Sequence, residues 1–182
     1  MARRLAGVRR RRKGTVRPIR FLGDPVLRTP TDPVTVFDRE LERLVEDMFA
    51  SMYEAEGVGL AANQIGVGLS VFVYDCHDDD DNWFVGHIIN PVLVESDGEP
   101  TTDSEGCLSL PGLRYETIRG WHAAVEGVDM HGEPVRAEGT GNFARCLQHE
   151  TDHLIGKVYV DRLESEARRV AMRDVRAAEW SA

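Results

Sequence analysis

His149-Glu150-Thr151-Asp152-His153 sets two histidines four residues apart, with a glutamate directly after the first. On a helix, positions i and i+4 lie on one face about one turn apart, so both imidazoles can reach a single ion. Glu150 is offset around the helix and can reach a water on that ion without entering its coordination sphere. The chemistry this allows is metal-assisted hydrolysis. A catalytic site of that type uses three protein ligands and keeps a fourth position open, and the helix supplies only two of the three.

Three places offer the missing ligand. The long H-E-x-x-H-x-x-G-x-x-H form keeps its glycine at Gly156 but has Tyr159 where a third histidine would stand, which excludes it. Downstream carboxylates exist at Glu164, Glu166 and Glu179, each in a charged terminal stretch that reads as solvated helix. Upstream, Glu105-Gly106-Cys107-Leu108-Ser109 places a cysteine in a loop, and a thiolate is a strong ligand for zinc or ferrous iron. Two neutral imidazoles and one thiolate leave a divalent ion with one net positive charge and an open position for water.

The elements that must position these groups are legible in outline. DRELERLVEDMFASMYEAEG, from Asp38, sets Leu41, Leu44, Val45, Met48 and Met52 at helical spacing, with Asp38 as N-cap and Gly57 past the end. GVGLAANQIGVG follows, and then LSVFVYD reads as a strand. Further strands are expected at Trp83–Asn90, Pro91–Glu95, Tyr115–Ile118, His122–Met130 and Pro134–Ala137, with turns at Asp97-Gly98 and His131-Gly132. The acidic run Asp78–Asp81 reads as a hydrated loop tip. Thr140 can cap a second helix that carries both histidines and stops at Gly156, and a last helix begins at Ser165. The expected fold class is α+β, with antiparallel strands packed around a central metal-binding helix and a C-terminal helix.

Composition narrows the function classes. The chain has 182 residues, 42% hydrophobic and 29% charged, which suits one globular domain. Residues 1–20 hold eight Arg and one Lys with no acid, so the remainder carries 13 basic against 31 acidic groups, a net of −18. An acidic body disfavours nucleic acid as a substrate. The head, taken as a basic disordered extension over 1–16 ahead of a single domain over 17–182, has the composition to touch RNA or to resemble an organelle transit peptide. It lacks the apolar run of a secretory signal. Cys76, Cys107 and Cys146 are odd in number with no C-x-x-C spacing, which points to a reducing compartment rather than a disulfide framework. Gly57-x-Gly59-x-x-Ala62 fits a loose dinucleotide fingerprint, but it follows a helix and leads into a strand, the reverse of what that fingerprint requires.

EGCLS at 105–109, QHETDH at 148–153 and GVGLAANQ at 57–64 resemble the three signature motifs of peptide deformylases, in the same order, within a similarity running from about Arg17 to Leu163. The resemblance implies removal of the formyl group from N-formylmethionyl nascent peptides, with release of formate, by a cytoplasmic enzyme of protein biosynthesis. It implies Cys107, His149 and His153 as ligands of one divalent metal, ferrous iron natively, with zinc, nickel or cobalt as substitutes. Glu150 is then the base, and Gln64 with the Leu108 backbone N–H stabilises the oxyanion. Val58, Gly59, Gly106, Arg145 and Cys146 fall at the substrate, Arg145 bringing a charge beside a nominally apolar methionine pocket. Glu105 and Asp152 are the expected acceptors that orient the histidines. No membrane span is expected, a monomer suffices, and the basic N-terminal or C-terminal segments are placed to meet the ribosome. Two other classes fit some of the same residues. One is a structural metal module with His77 as fourth ligand, touching ribosomal RNA through the basic head; the other is a peptidase of general specificity.

Overall fold

The computed structural model describes residues 14–181, so the expectation for the basic extension over 1–16 falls almost entirely outside the described residues. α1 (Arg39–Glu54) buries Leu41, Leu44, Val45, Met48 and Met52 along one face. Asp38 caps it, accepting from the N–H groups of Glu40 and Leu41 at 2.9 and 3.1 Å. The exit differs from expectation, because Glu56 and not Gly57 takes the left-handed turn, at φ 56°. Gly57 is required for space instead, since a Cβ there would lie 2.7 Å from Leu108 Cδ1.

Five strands, β1 (Gly59–Ala61), β2 (Val71–His77), β3 (Trp83–Asp97), β6 (His122–Val128) and β7 (Pro134–Thr140), form an antiparallel sheet in the order β1-β2-β3-β6-β7. β4 (Thr101–Gly106) and β5 (Arg114–Arg119) form a separate hairpin. The strands expected at Trp83–Asn90 and Pro91–Glu95 are one. Its pairing to β6 is irregular between Ile89 and Val92, where Asn90 sits at φ 51° and exchanges two hydrogen bonds with the Val34 backbone. β1 and β4 lie in stretches that read as loops. β1 is three residues long and β4 reads TTDSEG, so neither carries an apolar alternation to announce it.

α2 (Gly141–Leu154) and α1 lie on opposite faces of the sheet. Val71 and Val73 pack with α1, whereas Phe72 and Tyr74 pack with Phe143, Ala144 and Leu147 of α2. Successive strand residues point to opposite faces, so a strand covered on both sides reads as a continuous apolar run, which is why VFVY is legible. The other side of α2 is polar and faces the β4–β5 hairpin through Arg145, His149 and Asp152. The helix is therefore the middle layer. α3 (Ser165–Ala177) closes a third core, with Ala171 and Val175 packed near Val160 and Leu163. No helix among the described residues is long and apolar enough to cross a membrane.

Thr140 stands at the start of α2 but its side chain makes no capping bond. The cap comes from the acidic run, where Asp79 Oδ1 accepts from the Asn142 N–H at 2.9 Å. Asp78 turns inward and accepts from Asp80 and Asn82, so this loop is built rather than merely hydrated. Replacing Asp79 with Ala is expected to destabilise the fold by about 1 kcal/mol. In a domain of this size that is a fall of roughly 2–4 °C in melting temperature. Thr140→Ala should leave the melt unchanged; equal effects of the two would remove Asp79 from the capping role.

Candidate active site

β4 ends at Gly106, and the next residue is Cys107. The hairpin therefore delivers the cysteine to the polar face of α2, where His149 and His153 wait one turn apart. Cys107 Sγ lies 3.3 Å from His153 Nε2, and that nitrogen lies 3.2 Å from His149 Nε2. The three donor atoms fall within 4.8 Å of one another, and no fourth such donor joins them among the described residues. Glu164, Glu166 and Glu179 lie outside the group. His77, at the end of β2, stacks on Trp83.

His149 Nδ1 donates to Glu105 Oε1 at 2.6 Å, which turns its Nε2 toward the other two donors. Burial, with the charge of His149 nearby, holds His153 well below the usual imidazole range and so favours its neutral form. Glu150 is buried, its Oε2 has no protein partner, and burial pushes its carboxyl up to about 7. Converging thiol and imidazole donors beside an unpartnered buried carboxylate are the donor set a divalent ion accepts.

Glu105 is the hub. Burial alone would raise its pKa, but the hydrogen bonds and charges of His149 and Arg119 outweigh that and hold it well below the carboxylate range. Arg119 donates Nε to Oε2 at 3.1 Å and Nη2 to Oε1 at 2.7 Å, and reaches Asp152 Oδ2 with Nη1 at 2.6 Å. Asp152, named with Glu105 as a partner for a histidine, bonds to Arg119 and Arg162 instead. It lies on the stretch of α2 that faces β5, within hydrogen-bond reach of Arg119, and Arg162 meets it from the other side. Arg145 belongs to the cleft wall, but its guanidinium is committed to Glu105 and to two hairpin carbonyls. No charge is therefore free to stand in the pocket from that position.

Gln64 has two engagements. Its Oε1 accepts from the Ala61 N–H at 2.9 Å, while its Nε2 donates to Ser109 Oγ at 3.2 Å and lies 3.6 Å from Cys107 Sγ. The segment ahead of α1 ties the two loops together, with Arg20 N–H on the Gln64 carbonyl and Leu22 N–H on the Ser109 carbonyl. Tyr159, at the position of the absent third histidine, is fully buried, with its ring stacked on His149 at 6.2 Å and its hydroxyl on the Leu113 carbonyl. A cleft of about 850 Å³ opens over these groups, with Val58, Gly59, Gly106, Leu108 and Cys146 in its wall. Gly59 is fixed by contact, since a Cβ there would lie 2.3 Å from Glu150 Oε1.

A family model described as polypeptide deformylase matches residues 16–169. The chain belongs to this family. It is 60% identical to peptide deformylase 2 of Streptomyces avermitilis, over 93% of this chain and 91% of that one. To peptide deformylase 2 of Streptomyces coelicolor it is 56% identical over 92% and 93% of the two chains. Among solved structures it resembles the peptide deformylase of Thermus thermophilus, with TM-score 0.81 and 41% identity over 90% of this chain and 95% of that one. The Ehrlichia chaffeensis peptide deformylase in complex with actinonin gives TM-score 0.83 and 34% identity over 91% and 98%. The chain is thus a hydrolase of a metal-dependent family that removes formyl groups from nascent peptides.

Sequence reasoning missed Arg119. It occupies an inward position of β5, in alternation with Thr117, and a charge at such a position is the signal that points to a buried partner. Because it and Arg145 neutralise Glu105 away from water, Glu105→Ala is expected to lower the unfolding free energy by about 3–5 kcal/mol. Urea titration checks this, and a loss under about 1 kcal/mol would make the network dispensable.

Proposed function

We propose that Cys107, His149 and His153 hold one divalent ion and that Glu150 is the base with which this chain hydrolyses N-formylmethionyl peptides. The observation that carries the assignment is the convergence of the three donor atoms at a cleft whose wall includes Cys107, His149 and Glu150, the last with an unpartnered Oε2. A bound ion supplies Lewis-acid activation of water and of the formyl oxygen. Glu150 Oε2 takes the proton of the attacking water and returns it to the departing amine, giving formate and a free N-terminus. Its burial supports this part, because a carboxyl held near neutral pKa both accepts and gives back a proton.

Gln64 Nε2 and the Leu108 N–H donate to the formyl oxygen as it becomes negative; loss of one such donor costs about 3 kcal/mol of transition-state stabilisation. Among the described residues β1 pairs only with β2, so its other edge is available to an extended peptide. The Val58 carbonyl already accepts from the Asp75 N–H at 2.8 Å. By the alternation of an antiparallel ladder, Gly59 is then the residue that turns its backbone groups to the open edge. Val58 and Cys146 form the wall against which the methionine side chain rests, and Gly106 borders the peptide from the hairpin.

Ferrous iron is the native ion in this reading, and zinc, nickel or cobalt fill the same site, since imidazole with thiolate suits all four. Residues 17–182 act as one metallohydrolase domain, monomeric and cytoplasmic. Contact with the ribosome, in this reading, runs through the basic N-terminal or C-terminal segment.

Formate release from a formyl-methionyl peptide, with its unformylated counterpart as control, tests the reaction. Glu150→Gln should keep the ion and lose at least 100-fold in rate, as expected for removal of a general base. Full activity in that variant would remove Glu150 from the mechanism. Cys107→Ala should lose or weaken the ion, and an unchanged metal stoichiometry would give the third position to another residue.

A further inference from the structure

Arg145 precedes His149 by one helical turn, so both side chains leave the same face of α2 and meet the hairpin. The Arg145 Nη1 donates to Glu105 Oε2 at 2.9 Å and to the Thr117 carbonyl at 2.8 Å, and Nη2 donates to the Thr101 carbonyl at 3.2 Å. Thr101 is on β4 and Thr117 on β5, so one guanidinium joins the helix to both strands and to the carboxylate between them. Arg119 also binds Glu105, but from within the hairpin. From α2, only Arg145 and His149 reach Glu105 among the described residues.

We propose that Arg145 is a positioning residue for the Cys107 and His149 pair. It fixes the separation of the hairpin, which carries Cys107, from the helix, which carries His149. It also draws on the Glu105 carboxylate, so that His149 donates to a weaker acceptor than a lone carboxylate would be. The inference rests on the metal reading above.

Positioning, more than simple stability, accounts for these contacts. A buried ion network adds little net stability as a whole, although removing one partner strands the others, so a melt alone does not reveal what the network is for. Arg145 is 7% exposed, and its three donor contacts all end on the hairpin, so its guanidinium is spent on joining the two layers. Ligands from two layers must be held to within about 0.5 Å to serve one ion. Among the described residues, the direct bonds from the α2 side chains Arg145, His149 and Asp152 into the hairpin all end on Glu105, Arg119, Thr101 or Thr117. Arg145 makes three of them.

The test uses the whole protein loaded with cobalt, compared with Arg145→Met and Arg145→Lys. Arg145→Met is expected to shift the visible cobalt absorption and to release cobalt to a chelator about tenfold faster, the low end for loss of an outer partner of a metal ligand. Arg145→Lys should recover part of the spectrum, because it keeps the charge but cannot bridge three acceptors. Melting of the metal-free proteins serves as the control: a merely structural role would lower the melting temperature and leave the cobalt spectrum unmoved. A spectrum and release rate in both variants equal to the parent would overturn the proposal. If Arg145→Met does not fold, Arg145→Lys decides alone, and unchanged release from it would be decisive against. A parent chain that takes up no cobalt, or yields no formate from a formyl-methionyl peptide, would sink the metal reading itself, which separates the two failures.

Discussion

The Glu105 carboxylate, buried between the β4–β5 hairpin and α2, receives four donors: His149 and Arg119 on Oε1, Arg119 and Arg145 on Oε2. A lone carboxylate taken out of water would protonate, and here it is held ionised by the cations around it. The arrangement constrains both sides at once. The hairpin cannot shift without uncovering a buried charge, and α2 cannot rotate without moving Arg145 and His149 off it. The donor atoms of Cys107 and His149 stand where they do because their two layers share this one acceptor.

The same constraint explains why α2 has two unlike faces. Its apolar side, with Phe143, Ala144 and Leu147, packs on the five-stranded sheet. Its polar side is as buried, with Arg145, His149, Glu150, Asp152 and His153 all in the interior. A buried polar face is tolerated only where its groups find partners, and the hairpin supplies most of them. The exceptions are informative. On this helix Glu150 Oε2 and His153 Nδ1 have no protein partner, and outside it the same holds for Asn63 Oδ1. The unpartnered Glu150 stands in the cleft wall, whereas Glu105 and Asp152 are compensated by arginines.

Close approach shapes the rest of the site. Gly57 and Gly59 bring their backbone against Leu108 and Glu150, nearer than any side chain would permit. The N-terminal strap, through Arg20 and Leu22, fastens the Gln64 and Ser109 carbonyls from outside. Tyr159 supports His149 with its ring and the Leu113 carbonyl with its hydroxyl. The residue that breaks the longer metal motif is therefore part of the frame that replaces it.

The sequence by itself determined the amphipathic α1, the doubly covered β2, the two histidines on one helical face, and the three motifs that mark the family. Each is a local pattern, either a hydrophobic period or a fixed spacing between reactive residues, and local patterns survive in one dimension. Tertiary structure alone decided that TTDSEG is a strand, that Asp79 caps α2 from 63 residues away, and that Asp152 serves Arg119 rather than a histidine. It also decided that Arg145 turns its charge from the cleft to the hairpin. These outcomes depend on which polar groups meet across layers once water is excluded. A buried charge takes whichever partner lies in reach, and that is set by packing rather than by neighbours along the chain.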